Sequence, residues 1–126
     1  MNREFTDENI ELRIDGVFCH ARYLVPVVDI EAAKSAVKGK FALIQDGEGI
    51  LNIIDSSNVK TMTREARKYL SQPEAYMGVK ATAILARSPI GAVLGNFYLR
   101  LGNFPIPTRM FRNEEQAKEW LLNLDL

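Results

Sequence analysis

Apolar residues in this chain switch repeatedly between a period of two and a period of three to four, and that alternation restricts the fold more than any other feature. Ile10, Leu12 and Ile14 alternate with Glu11, Arg13 and Asp15, the pattern of a half-buried strand. Asp15-Gly16 follows, a dipeptide that favours a tight hairpin because glycine accepts positive φ, so Val17 to Tyr23 is expected to return as the paired strand. On it Val17, Cys19, Ala21 and Tyr23 share one face and Phe18, His20 and Arg22 the other, which directs His20 to solvent. Asp29 then caps a helix on which Ile30, Ala33, Val37, Phe41 and Ile44 recur at steps of three and four. Gly39 opposes it, since a mid-helix glycine costs about 1 kcal/mol relative to alanine. A helix stopping at Gly39, with a strand over 41–45, is the rival reading. The apolar stripe passes Gly39 in phase, which favours one helix ending near Asp46-Gly47.

Ile50 to Asp55 is a short apolar run, as expected for a strand covered on both faces. Thr63 can cap a helix that turns Ala66, Tyr69 and Leu70 to one side; Gln72-Pro73 breaks it, with one further turn over Glu74 to Met77. A strand over Lys80 to Ala86 precedes Ser88-Pro89, a cap followed by a first-turn proline, which starts a helix carrying Ile90, Val93, Leu94, Phe97 and Leu101. Pro107 before Thr108 to Phe111 suits an edge strand, where a missing backbone donor is tolerated. Asn113 and Gln116 have capping-box spacing ahead of Ala117, Trp120, Leu121 and Leu124. The fold class is therefore α/β: a mixed sheet with an N-terminal hairpin followed by alternating strands and helices joined by right-handed crossovers. At 126 residues it reads as one domain over 1–126, since domains commonly run to roughly 100–150 residues.

Sixteen Lys and Arg balance sixteen Asp and Glu, so no global field recruits nucleic acid or an anionic membrane. The single cysteine, Cys19, and single histidine, His20, exclude an intramolecular disulfide and a clustered zinc site. The polar N-terminus lacks a signal-peptide apolar region, and no run approaches the roughly 20 apolar residues of a membrane helix, so a cytoplasmic protein without stable membrane insertion is expected. Neither a Gly-Lys-Ser/Thr phosphate loop nor a Gly-x-Gly-x-x-Gly run occurs, and no motif places a nucleophile beside His20. The expectation is no cofactor, no metal and no enzymatic activity.

In this order of elements the chain resembles the STAS superfamily, specifically the bacterial SpoIIAA-like or STAS-like proteins. The resemblance rests on the strand ending at Asp55, on Met62 to Leu70, and on Pro107 to Phe111 followed by Glu115 to Leu121. It covers nearly the whole chain; each piece alone is weakly specific, and their joint order carries the likeness. Anti-sigma-factor antagonists of that family carry an Asp-Ser-Ser-Gly sequence whose serine is phosphorylated at a helix start. Asp55-Ser56-Ser57 looks similar but lies at the wrong place. Asp55 matches the family's strand-end aspartate, Asn58-Val59 its loop pair, and Thr63-Arg64 its Asp-Ser pair, so Arg64 replaces the phosphoacceptor. The resemblance implies a small non-catalytic regulatory module that binds an unidentified protein partner and lacks the phosphoserine switch. Its alternative, by analogy with the lipid-transfer CRAL-TRIO fold, is a binder of a small amphiphilic or anionic ligand. That ranks second because a chain of this length has little material to enclose a lipid beside a core.

Ligands of open parallel sheets usually bind outside the carboxyl ends of the strands. There Ser56, Ser57, Thr63, Arg64, Arg67, Arg87, Ser88 and Arg112 are candidates for a partner- or anion-binding rim, through hydroxyls, free backbone N–H groups and guanidinium forks. The plainer alternative is that Thr63, Ser88 and Asn113 only cap helices and the arginines are solvated. Between Ser56 and Leu70 four bases (Lys60, Arg64, Arg67, Lys68) face one acid (Glu65), and from Asn113 onward four acids (Glu114, Glu115, Glu119, Asp125) face one base (Lys118). Such opposite patches can steer an acidic partner or pair in a homodimer. Gly91, Ala92 and Gly95 leave the helix after Ser88 small or apolar over most of its circumference, which fits either deep burial or dimerisation.

Overall fold

The structure, a computed structural model, describes residues 3–44, 49–87 and 105–125. Strands β1 (Arg3–Thr6), β2 (Ile10–Asp15) and β3 (Phe18–Tyr23) form an antiparallel meander. Asp15 pairs with Phe18, so the two-residue loop is Gly16-Val17, one residue later than the dipeptide reading. Gly16 there takes φ of 61°, the left-handed value demanded at the first loop position. After a two-residue strand β4 (Val27–Val28), helix α1 spans Ile30–Leu43 and leads to β5 (Ile50–Asp55). Strand β6 (Thr61–Met62), helix α2 (Arg64–Leu70), a 3-10 turn (Pro73–Tyr76) and β7 (Val79–Leu85) follow, and β8 (Thr108–Phe111) and helix α3 (Glu114–Leu122) close the order. The expected helix starting at Ser88-Pro89 lies outside the described residues.

The main sheet has the order β1-β2-β3-β5-β7-β8, with β3, β5, β7 and β8 mutually parallel and β8 at the edge, as Pro107 implied. A second sheet pairs β4 with β6 in parallel, Val27 against Thr61 and Val28 against Met62. That short pair is invisible to periodicity, because two residues carry none. Its effect is to set the starts of α1 and α2 side by side: Thr63 N–H donates to the Val28 carbonyl at 3.0 Å. The caps then work as the sequence indicates, Asp29 accepting from Ala32 N, Thr63 from Ala66 N and Asn113 from Gln116 N.

Helices α1 and α2 cover one face, burying Ile10, Leu12, Cys19, Tyr23, Val28 and Ile50. The other face belongs to α3, whose Ala117 and Leu121 pack on Leu51, Ile53, Ala81, Ala83 and Leu85. Small residues on β7 let that helix approach closely. Three expectations need correction. The sequence of β1 shows only a polar N-terminus; a single half-buried apolar residue, Phe5, gives an edge strand no alternation to read. His20 does lie opposite Cys19, but α3 covers that face, so its side chain is only 14% exposed and its Nδ1 sits 3.6 Å from Glu114. On α1 the inward stripe continues from Val37 to Lys40, and Phe41 is 43% exposed.

Helix α1 runs through Gly39 and stops at Leu43, where Arg3 donates to the Leu43 carbonyl. The glycine is there for space: a Cβ would sit 2.5 Å from Phe5 and 2.7 Å from Leu12. Gly39→Ala should therefore lower stability by up to about 2 kcal/mol, an overpacking cost of about 1–3 kcal/mol set against the roughly 1 kcal/mol of recovered helix propensity. Urea unfolding measures it, and a stabilised variant would show that β1 and β2 do not press on α1 at this point.

Candidate functional site

The loop after β5 ties the strand ends together. Asp55 Oδ1 accepts from Ser57 N at 2.9 Å and from the Ser57 hydroxyl, while the Ser56 hydroxyl donates to the Leu85 carbonyl at 2.7 Å. Arg87 Nε pairs with Asp55 Oδ2 at 3.6 Å, and Arg112 donates to the Arg87 carbonyl at 3.2 Å. Ser56, Ser57, Arg87 and Arg112 are thus gathered at one rim, with the charge of Arg87 opposed by Asp55. Thr63 and Arg64 begin α2, the Thr63 oxygen engaged as a cap at 3.1 Å and Arg64 exposed. Arg67 departs from this group and lines the interior. Ser88 lies outside the described residues.

The larger concavity is on the α1/α2 face of the sheet. A cavity of about 560 Å3 is bounded there by β2, β3, β5, β7, β8, both helices and the 3-10 turn. Its walls are mostly apolar, as at Leu12, Val37, Ile54, Val59 and Ile84. The charged residues that line it are Lys40, Lys60 and Arg67, and no acid joins them among the described residues. Two buried polar atoms facing this space have no hydrogen-bond partner among the described residues, Asn52 Oδ1 and Arg67 Nε.

Register explains the floor. Asn52 lies between Cys19 of β3 and Thr82 of β7, and Thr82 lies beside Thr108 of β8. A polar row of Asn52, Thr82 and Thr108 therefore crosses three parallel strands, with the Cys19 thiol at its β3 end, on a face that is otherwise apolar. Sequence reasoning passed over Asn52 and Lys40, although each carried a signal: a polar residue inside an apolar strand, and a lysine three residues after Val37 on the inner stripe.

Lys40 is 8% exposed and donates its amine to the Ala75 carbonyl. Burial drives its pKa down from 10.5 to about 8, opposed by the neighbouring Cys19, whose own thiol burial pushes up from 9.0 to about 11. Burial also lowers the pKa of His20, and Arg13 adds to this against the pull of Glu114. Among the described residues, no group of three or more His, Cys, Asp or Glu side chains is placed to hold a metal ion.

The model of the domain of unknown function DUF7793 matches residues 10–125. The chain belongs to that family. No curated protein matches it. Among solved structures, an uncharacterised DUF3478-family protein with a SpoIIAA-like fold from Shewanella loihica PV-4 superposes with a TM-score of 0.60 at 15% identity, over 89% of this chain and 91% of the other. The DUF7793 chain thus has the SpoIIAA-like fold that its element order indicated. No helix among its described residues is long and apolar enough to cross a membrane.

The two titrations on α1 and β3 oppose one another. Folded Lys40 binds fewer protons than unfolded Lys40 between about pH 8 and 10.5, so its burial penalty is full below pH 8 and stability rises through that window. Folded Cys19 keeps its proton to about pH 11 whereas the unfolded thiol releases it near 9.0, so stability falls between those values. Wild-type stability should climb from pH 8 to 9 and then level. Cys19→Ala should continue climbing, with on the order of 1 kcal/mol gained from pH 8 to 9, and Lys40→Met should lose the rise altogether. Denaturant titrations at stepped pH read all three; an identical profile in Lys40→Met would refute the assignment.

Proposed function

We propose that this chain is a non-catalytic binding domain for a small anionic amphiphile, held in the cavity between the sheet and helices α1 and α2. The observation that carries this is the pairing of apolar walls with Lys40, Lys60 and Arg67 and no acid among the described lining residues. The volume of about 560 Å3 falls within the roughly 300–1,000 Å3 of small-molecule sites. Arg67 Nε, buried and unpartnered, is the donor best placed to meet a carboxylate or phosphate oxygen, and a charge-assisted hydrogen bond in such surroundings is worth more than a neutral one. This ranks the ligand above the protein partner as the chain's first function. Turning Arg67 inward removes it from the outer face of α2 and thins the basic patch there. Arg64 and Lys68 remain exposed, which supports a protein partner as a second reading, with ligand occupancy as what such a partner would sense.

Displacement of a fluorescent fatty-acid analogue by decanoate, together with native mass spectrometry of protein purified without detergent, tests the proposal. Wild type should bind decanoate, Arg67→Met should bind it at least about tenfold more weakly, equivalent to about 1.4 kcal/mol, and Ile84→Phe should block the space. Failure of the wild type to bind any acyl carboxylate, with no mass carried through purification, would sink it.

A further inference from the structure

Asn52 is the feature the amphiphile reading leaves unused. It sits in β5, inside the parallel run, only 7% exposed, on the cavity floor, with Oδ1 lacking a partner among the described residues. A buried unpaired acceptor is costly, and its strand neighbours Ile50 and Ile54 show that the same face of β5 accepts aliphatic side chains. An apolar tail laid over this floor would leave the amide unsatisfied and strip it of any water. A plain fatty acid therefore fills the site without satisfying its floor.

We infer that the occupant is an acid with a second polar group, a hydroxyl carried far from its anionic end, and that Asn52 selects for it. The inference rests on the cavity reading above and adds the chemistry of the tail. A hydroxyl both donates and accepts, so it satisfies the amide whichever way its oxygen and nitrogen are set. Thr82, 4% exposed, and Thr108 continue the polar row beside Asn52 and extend the same recognition.

The spacing separates the two polar ends. Ser56, Lys60 and Thr61 line the cavity beyond the carboxyl end of β5, and Arg67 lies about one turn into α2 from its start at that end. Asn52 is four residues back along β5 from Ser56, which at the rise of a strand is about 13 Å. An anion at the Ser56–Lys60 end of the cavity, the end at which α2 starts, and a hydroxyl at Asn52 therefore belong to opposite ends of one extended chain, as in an ω-hydroxy acid.

Calorimetric titration of the intact wild-type chain and of Asn52→Leu with decanoate and with ω-hydroxydecanoate decides it. Wild type should prefer the hydroxylated acid by about tenfold or more, because a site built for a hydroxyl rejects the ligand that lacks it. Asn52→Leu should lose that preference and bind decanoate at least as tightly as wild type does. Equal binding of the two acids by wild type, or a preference that survives Asn52→Leu, overturns the selection while leaving the amphiphile site standing. If wild type binds neither acid, the cavity reading falls and this inference with it. The wild-type ratio alone is decisive should Asn52→Leu fail to fold.

Discussion

The parallel pairing of β5 between β3 and β7 is the constraint on which the rest of the molecule depends. A strand in that position has no free edge and no free face, so each of its six residues is assigned by geometry. Leu51 and Ile53 must meet α3, while Ile50, Asn52 and Ile54 must meet the space under α1 and α2. Parallel strands need crossovers, and the right-handed sense puts successive crossover helices on the same face. The β4/β6 pair starts α1 and α2 side by side on that face, and the cavity lies between these helices and the sheet.

Helix α1 shows how packing and chemistry are linked within one element. Gly39 lets it settle onto Phe5 and Leu12, and that close approach brings the next residue, Lys40, under the fold rather than out of it. A charged amine in such a place is held by the Ala75 carbonyl and its ionisation is weakened by burial. Phe41 is turned outward by the same rotation, and the Lys40 amine stays 5.9 Å from its ring. The glycine that looked like a flaw in the helix is thus the reason its inner face carries a cation.

Much of the fold was legible because its elements are long enough to display a period: β2, β3, α1, β5, β7 and α3 each repeat an apolar position at least twice. Caps and breaks were equally readable at Asp29, Thr63, Pro73, Pro107 and Asn113, where one residue type has one local job. Strand β1 and the β4/β6 pair were not, since their hydrogen bonds are with distant segments and their sequences are too short or too polar to alternate. The site was less legible than the fold. Ser56, Ser57, Arg87 and Arg112 do meet at the carboxyl ends of the strands, as the order of elements implied, yet Arg67 turns inward and the cavity residues Asn52 and Lys40 went unread.

Read along the chain alone, the residues already imply the alternation of strand and helix, the places where the described helices start, the edge position of β8, and one cysteine and one histidine within 126 residues, too few for an intramolecular disulfide or a clustered His/Cys zinc site. Those follow from properties of neighbouring residues: dihedral preference, period, and the count of reactive side chains. That Cys19, Asn52, Thr82 and Thr108 stand in one row, that His20 lies under α3, and that Lys40 and Arg67 face a common cavity is settled by the folded arrangement alone. Each of those depends on strand register or on helix rotation about its axis. Register joins residues roughly 30 positions apart, and the apolar pattern fixes helix rotation only to within a residue, enough here to exchange Phe41 for Lys40.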